Sequence, residues 1–175
     1  MFFKQGKKFA LCTNCGKVHG QFKSKYCSKC KQNTVHNFDS NGEAFRYLHL
    51  KDRKDILDLR IQVKYPLYAP ELICSEGWSA KYPEPQKPDK PKNMIVAGHY
   101  TADFVYFDTN NPKGWTIEDY KPYNPKIQKP IIKADTQLRL NWLHAQVRKY
   151  FDIIVSYEVP KKGYQVKTIK PNKKS

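Results

Sequence analysis

Tyr100-Thr101-Ala102-Asp103-Phe104-Val105-Tyr106-Phe107, followed after Asp108 to Gly114 by Trp115-Thr116-Ile117-Glu118-Asp119-Tyr120-Lys121, is the stretch on which the reading of this chain turns. The first segment is rich in β-branched and aromatic residues and apolar on both alternating faces, which predicts a strand buried inside a sheet. The Asn, Pro and Gly residues between the segments suit a hairpin turn or short loop, so the second segment is expected to return beside the first. Asp103 falls within the buried strand. An ionised carboxylate in such a place is costly unless it is paired or coordinates a metal.

Side chains alternate along a strand, so Asp119 and Lys121 are expected on one face and Glu118 and Tyr120 on the other. Asp103 is expected beside the Asp-x-Lys pair. Two carboxylates and the carbonyl of Tyr120 make an oxygen-lined site suited to Mg²⁺, with Lys121 next to it. A metal held there can polarise a phosphodiester or generate hydroxide from water. Lys121 can orient that water or offset charge growing on the phosphate. The alternative for the same residues is a structural ion pair of Lys121 with Asp103 or Asp119 across the sheet.

Charge is distributed unevenly along the 175 residues. The chain carries a net +16, yet residues 1–38 hold eight lysines and no acid, and residues 161–175 hold six lysines and no acid. The region between is close to neutral. Basic ends are an electrostatic footprint for a polyanion, with nucleic acid the first candidate, an anionic membrane surface the second, and a solvated tail the plain alternative. No stretch approaches the length of a membrane span, and Met1-Phe2-Phe3-Lys4 is far too short for a signal peptide, so no membrane association and a cytoplasmic location are expected.

Cys12-Thr13-Asn14-Cys15-Gly16 and Cys27-Ser28-Lys29-Cys30 form two C-x-x-C pairs with eleven residues between them. The spacing predicts two knuckles, each giving two thiolates to one tetrahedral Zn²⁺, with Gly16 relieving the turn after the first pair. Disulfides are the alternative, which a reducing compartment disfavours. Four filled positions make this zinc structural, and in so small a module the metal supplies most of the folding free energy. Lys17, Lys23, Lys25, Lys29 and Lys31 surround it. His19 and His36 are candidate substitute ligands that four cysteines make unnecessary, and Cys74 is expected as a core or loop residue.

Ser40 followed by Glu43 reads as a capping box opening a helix over 43–54, with Ala44, Tyr47, Leu48 and Lys51 on one stripe. Residues 56–65 alternate as a strand that Pro66 is expected to end. Residues 75–93 are rich in Pro and Lys and read as a long surface loop or ribbon edge. After a second Pro- and Lys-rich stretch, Asp135 or Thr136 caps a helix running to about Phe151. One apolar stripe of that helix is Leu138, Trp142 and Ala145, and another is Leu140, Leu143, Val147 and Tyr150. Asp152 to Val159 reads as a buried strand. The order α, β, β, β, α, β predicts an α/β architecture with a mixed central sheet.

That order, together with the charged positions, resembles the PD-(D/E)xK nuclease superfamily. More narrowly, it is similar to a family of small phage-encoded endonucleases, carried as a domain of unknown function and related in fold to Holliday junction resolvases. The matching pieces are Ser40 to Tyr47, Leu59 to Leu67, Tyr100 to Phe104 and Glu118 to Lys121, and the resemblance covers about residues 36–159. It implies a restriction-endonuclease-like core over 36–160, a zinc ribbon over 1–35 and a basic tail over 161–175.

The resemblance makes Asp103 and Asp119 the acidic metal ligands and Lys121 the catalytic lysine. It makes Glu43 a helix glutamate added to the metal site. Gln62 corresponds to a polar residue near the scissile phosphate, and Arg139 to a basic residue of the second helix. Two departures stand out: Tyr120 replaces a small aliphatic residue, and Pro122 follows Lys121 where glycine is common. The register of Asp119 against Glu118 is therefore open.

The function expected is a Mg²⁺- or Mn²⁺-dependent DNA endonuclease, with Lys17, Lys23, Lys25 and Lys29 of the ribbon on the DNA backbone. The resemblance adds branched or Holliday-junction DNA as substrate, a role in phage recombination within the host cytoplasm, and a homodimer for paired cuts. Two alternatives remain: a non-catalytic zinc-ribbon adaptor that binds nucleic acid, and a nuclease acting on single-stranded, flap, duplex or RNA substrates.

Overall fold

The computed structural model describes residues 9–20, 26–32, 36–68 and 96–169. The expected loop at 75–93, Cys74, Lys23 and Lys25 lie outside the described residues. The chain divides into two compact units, Met1–Arg53 and Lys54–Ser175.

In the first unit, strands β1 (Phe9–Leu11), β2 (Val18–Gly20) and β3 (His36–Phe38) form an antiparallel sheet in the order β2-β1-β3. Helix α1 (Asn41–Lys51) follows. Ser40 caps it by accepting from the Glu43 amide at 3.2 Å, and the Glu43 carboxylate accepts from the Asp39 amide and the Ser40 hydroxyl, both at 3.0 Å. These bonds satisfy donors that the first helical turn leaves open. The buried face of α1 is Ala44, Tyr47 and Leu50 with Glu43 and Arg46, and Tyr47 packs on Phe38 with ring centroids 5.5 Å apart. Leu48 is only half-buried and Lys51 is exposed, so the stripe lies one position N-terminal of the one expected. By contacts, residues 36–53 group with the cysteine-bearing segment.

The second unit contains β4 (Ile56–Tyr68), β5 (Val96–Asp108), β6 (Trp115–Tyr120), β7 (Tyr123–Asn124), β8 (Lys129–Pro130), α2 (Ala134–Val147), β9 (Phe151–Val159) and β10 (Gly163–Thr168). Five of the strands form one mixed sheet in the order β10-β9-β6-β5-β4. β4, β5 and β6 run as an antiparallel meander, and β6 pairs with β9 in parallel. A parallel pair needs a crossover, which α2 supplies.

The core lies between that helix and the sheet. Leu140, Leu143 and Val147 of α2 pack in one cluster with Trp115 and Ile117 of β6 and Phe151, Ile153 and Val155 of β9. Trp115 is fully buried, with its ring edge-on to Phe107 at 5.5 Å. The expected α/β class with a mixed central sheet is what the chain adopts.

Several local expectations are corrected. β4 runs through Pro66 to Tyr68, with Pro66 opposite His99. It is the edge strand of the sheet, so the missing proline N–H leaves no ladder bond unmade. Leu138 is 65% exposed, so the helix core face is the Leu140, Leu143 and Val147 stripe, with Trp142 of the other expected stripe packed against it. Lys133 is the N-cap of α2, without a side-chain cap bond. Residues 163–168, expected within a basic tail, form β10 as an antiparallel partner of β9. The alternating run Tyr164, Val166 and Thr168 pairs there because β9 offers an open edge.

Candidate active site and metal centre

The ladder between β5 and β6 runs from Phe107↔Trp115 to Phe104↔Glu118. Continued by one residue, it sets Asp103 opposite Asp119. There the main chain leaves the ladder: the Tyr120 amide donates to Asp103 Oδ2 at 2.8 Å. On β6 itself, the Lys121 ammonium pairs with Asp119 Oδ2 and donates to the Tyr120 carbonyl at 3.3 Å. From the other side, β9 fixes the strand end, since the Lys121 amide donates to the Ser156 carbonyl at 2.9 Å. Asp103, Asp119, the Tyr120 carbonyl and Lys121 therefore come together at one end of β6.

Glu118 is held elsewhere. It is fully buried, and the Tyr106 hydroxyl donates to its carboxylate at 2.7 Å. Glu118 thus faces away from Asp119, as alternation requires.

Asp119 is 3% exposed. A carboxylate so buried needs a countercharge, and Lys121 supplies it. Tyr100 lies in the same pocket of charge, with its hydroxyl buried and without a hydrogen bond of good geometry. Burial pushes the Tyr100 hydroxyl well above its ordinary pKa, and the negative charge of Asp119 pushes it further.

Tyr100 reaches this face through a break in alternation. The core-facing residues of β5 are Tyr100 and Ala102 before Asp103, but Val105 and Phe107 after it. The β4–β5 register is the same on both sides, from Ile61↔Phe104 to Val63↔Ala102, so both strands turn together. Gln62 marks that rung with φ +52°, a left-handed conformation rare for a residue with a side chain. Its Nε2 donates to Asp103 Oδ1 at 3.4 Å. Strained backbone of this kind persists where the surroundings over-determine it.

Glu43 and Arg139 each have bonding partners of their own. Glu43 belongs to the first unit, and both of its carboxylate oxygens accept cap bonds. Arg139 is exposed on α2, donates to the His99 carbonyl at 3.4 Å, and lines a groove of about 310 Å³ with Trp142 and Leu67.

In the first unit, Cys12, Cys15, Cys27 and Cys30 place their sulfurs within 4.8 Å of one another. All four are free thiols, with Sγ···Sγ separations of 3.4 Å for Cys12–Cys30 and 3.6 Å for Cys15–Cys27. A disulfide needs about 2.05 Å, whereas a ZnS₄ tetrahedron with 2.3 Å bonds has edges of about 3.8 Å. The cluster can hold a metal such as zinc.

The two knuckles are near-copies. Gly16 N–H donates to the Cys12 carbonyl and Cys12 N–H to that of Lys17; Lys31 N–H donates to the Cys27 carbonyl and Cys27 N–H to that of Gln32. Gly16 has φ +68° and Lys31 has φ +61°, so one turn uses the permissive residue and the other does not. The Gln32 amide and the Asn14 side chain bring the Cys30 thiol down to about 6, which favours the thiolate that binds metal. His19 Nε2 lies 3.3 Å from Cys27 Sγ. It touches a ligand and supports the site from outside the four-sulfur set.

Among the described residues, these cysteines are the one cluster of three or more His, Cys, Asp or Glu side chains able to share a metal. The acidic site offers two carboxylates and a carbonyl. No helix among the described residues is long and apolar enough to cross a membrane. Comparison with protein-family models, with curated proteins and with solved structures gives no match.

Proposed function

We propose that this protein is a metal-dependent DNA endonuclease with a restriction-endonuclease-like core and a structural zinc in its cysteine cluster. The observation that carries this reading is the meeting of Asp103, Asp119 and Lys121 at the end of β6, with the Tyr120 amide tied to Asp103. The helix, antiparallel meander, crossover helix and parallel strand occur in the order that the resemblance implies.

The donor set suits Mg²⁺ or Mn²⁺. Mg²⁺ typically keeps several waters and takes one or two carboxylates plus substrate phosphate, which is what Asp103, Asp119 and the Tyr120 carbonyl can offer. When bound, such a metal supplies Lewis-acid activation of the phosphodiester and of water. Asp103 anchors the strand end, Asp119 holds the charge of Lys121, and Lys121 stands where it can orient water or offset phosphate charge. Gln62, bonded to Asp103, lies close enough to help position the scissile group. Glu43 keeps its capping role in this reading.

The net charge of +16 favours a polyanion, and Lys17 and Lys29 of the first unit are candidate backbone contacts. Branched or junction DNA in phage recombination, and a homodimer making paired cuts, complete the proposal. A second reading draws on the Asp119–Lys121 ion pair itself, which a non-catalytic nucleic-acid adaptor would also need for stability.

The deciding experiment is cleavage of a labelled four-way junction and a matched linear duplex in EDTA, Mg²⁺ or Mn²⁺, by wild type and Asp119→Ala. Metal-dependent cutting abolished in the variant supports the endonuclease. Cutting of both DNAs equally discards junction preference. DNA binding without cutting, unaffected by Asp119→Ala, supports the adaptor.

A further inference from the structure

Immediately after Lys121 the chain makes a short hairpin. β7 pairs with β8 through Tyr123↔Pro130 and Asn124↔Lys129. The base is closed by the Ile131 amide donating to the Pro122 carbonyl at 2.8 Å, and the turn by the Lys126 amide donating to the Asn124 side chain at 2.9 Å. Tyr123 stacks on Tyr157 of β9, with rings 5.8 Å apart and 5° from parallel. The hairpin is thus fixed both to itself and to the sheet that carries Asp119.

At its tip, residues 125–129 are all exposed. Hairpin tips are ordinarily polar. Here Ile127 is 58% exposed, with Lys126 beside it and Lys129 two residues on. A rigid projection bearing one apolar tooth between two ammonium groups has the chemistry to enter a nucleic acid. The apolar group replaces stacking at an opened base step, and the cations hold the flanking phosphates. A second copy of the chain is a poorer occupant, because a two-fold contact at this tip would bring like charges together.

We infer that this hairpin is a wedge which inserts Ile127 against unstacked bases at an interruption of a DNA duplex. The inference rests on the endonuclease reading and gives its site a way to recognise DNA structure. Ile127 is six residues from Lys121, a main-chain reach of at most about 22 Å at 3.3–3.6 Å per residue. With phosphates about 3.4 Å apart along a strand, cuts are expected within roughly six nucleotides of the wedged position.

The test uses the full-length, zinc-loaded protein and a four-way junction carrying 2-aminopurine at the branch point, with a linear duplex of the same sequence as control. Without divalent metal, wild type should raise the branch-point fluorescence severalfold. Ile127→Ser should not, and Ile127→Leu should retain the rise. Duplex binding by Ile127→Ser, read by anisotropy, should stay within twofold of wild type. With Mg²⁺, Ile127→Ser should lose about tenfold in junction cutting and little in duplex cutting.

Fluorescence from Ile127→Ser equal to wild type overturns the wedge and leaves the endonuclease standing. A fall in solution mass on Ile127→Ser overturns it in favour of a subunit contact. If wild type cuts no DNA in any metal, the endonuclease reading falls, and the fluorescence arm still decides whether the hairpin opens DNA.

Discussion

The main-chain N–H of Tyr120 donates to Oδ2 of Asp103 at 2.8 Å, so a side chain of one strand closes the end of its neighbour. Asp103→Asn preserves an accepting oxygen and should keep the fold, while Asp103→Ala loses the bond. We expect both variants to lose metal-dependent cutting. Only the alanine variant should also lose about 1.5–3 kcal/mol of stability, the usual worth of a hydrogen bond to a charged group. Denaturant titration beside a cleavage assay separates the two effects.

Lys121 is the countercharge of a carboxylate that is 3% exposed. Lys121→Met should destabilise the protein by about 3–5 kcal/mol, because it leaves a buried charge unpaired. Divalent metal should restore part of that loss if Asp119 is a metal ligand. A larger Mn²⁺-induced rise in Tm for Lys121→Met than for wild type is the expected outcome. An equal rise would argue that the metal binds elsewhere.

Removal of metal from the cysteine cluster should unfold the first unit. One zinc per chain is expected by elemental analysis, with four thiols becoming reactive on treatment with a strong chelator. Cys27→Ser should reproduce the effect without chelator, read as loss of zinc and of backbone amide protection in β1 and α1.

Lys31 holds, at φ +61°, the turn position that glycine holds in the sister knuckle. Lys31→Gly should therefore stabilise the zinc-bound protein by roughly 0.5–1 kcal/mol, since the strain removed exceeds the added chain entropy. Gly16→Ala, at φ +68°, should act in the opposite direction. Thermal denaturation of the two variants side by side checks both signs.

His144 sits on α2 with its pKa lowered by burial and by the charges of Lys113 and Arg148, which Asp152 only partly offsets. The unfolded chain then binds the proton more readily than the folded one. Stability tied to this residue is complete above the unfolded value of about 6.5 and declines as pH falls below it. His144→Gln should remove that slope, so wild type and variant should diverge progressively between about pH 7 and 5.

Much of this architecture can be read from side-chain types alone. The alternation of Glu118 and Asp119 already separates the two carboxylates, and the structure gives each its own partner, Tyr106 and Lys121. The two C-x-x-C pairs announce their own convergence. Other features depend on tertiary context. Pro66 reads as a strand end unless β4 is known to be the sheet edge. Tyr100 is three residues from Asp103, an odd offset that a regular strand would send to the opposite face. The break in alternation around Asp103, beside the left-handed Gln62 of β4, brings it to the face of Asp119, and no residue type at these positions signals it. Glu43 fits both a cap and a ligand in sequence, and in the structure both of its carboxylate oxygens accept cap bonds.

The parallel pairing of β6 with β9 has a consequence in time as well as in space. Lys121 is pinned by the carbonyl of Ser156, across a helix and thirty-five positions of sequence. A nascent chain that has emerged from the ribosome only as far as α2 carries every acidic and basic group of the candidate site but lacks the strand that fixes their geometry. The end of β6 therefore takes its final geometry only once β9 has been made, and a chain stopped within α2 would carry Asp103, Asp119 and Lys121 without the carbonyl that pins Lys121.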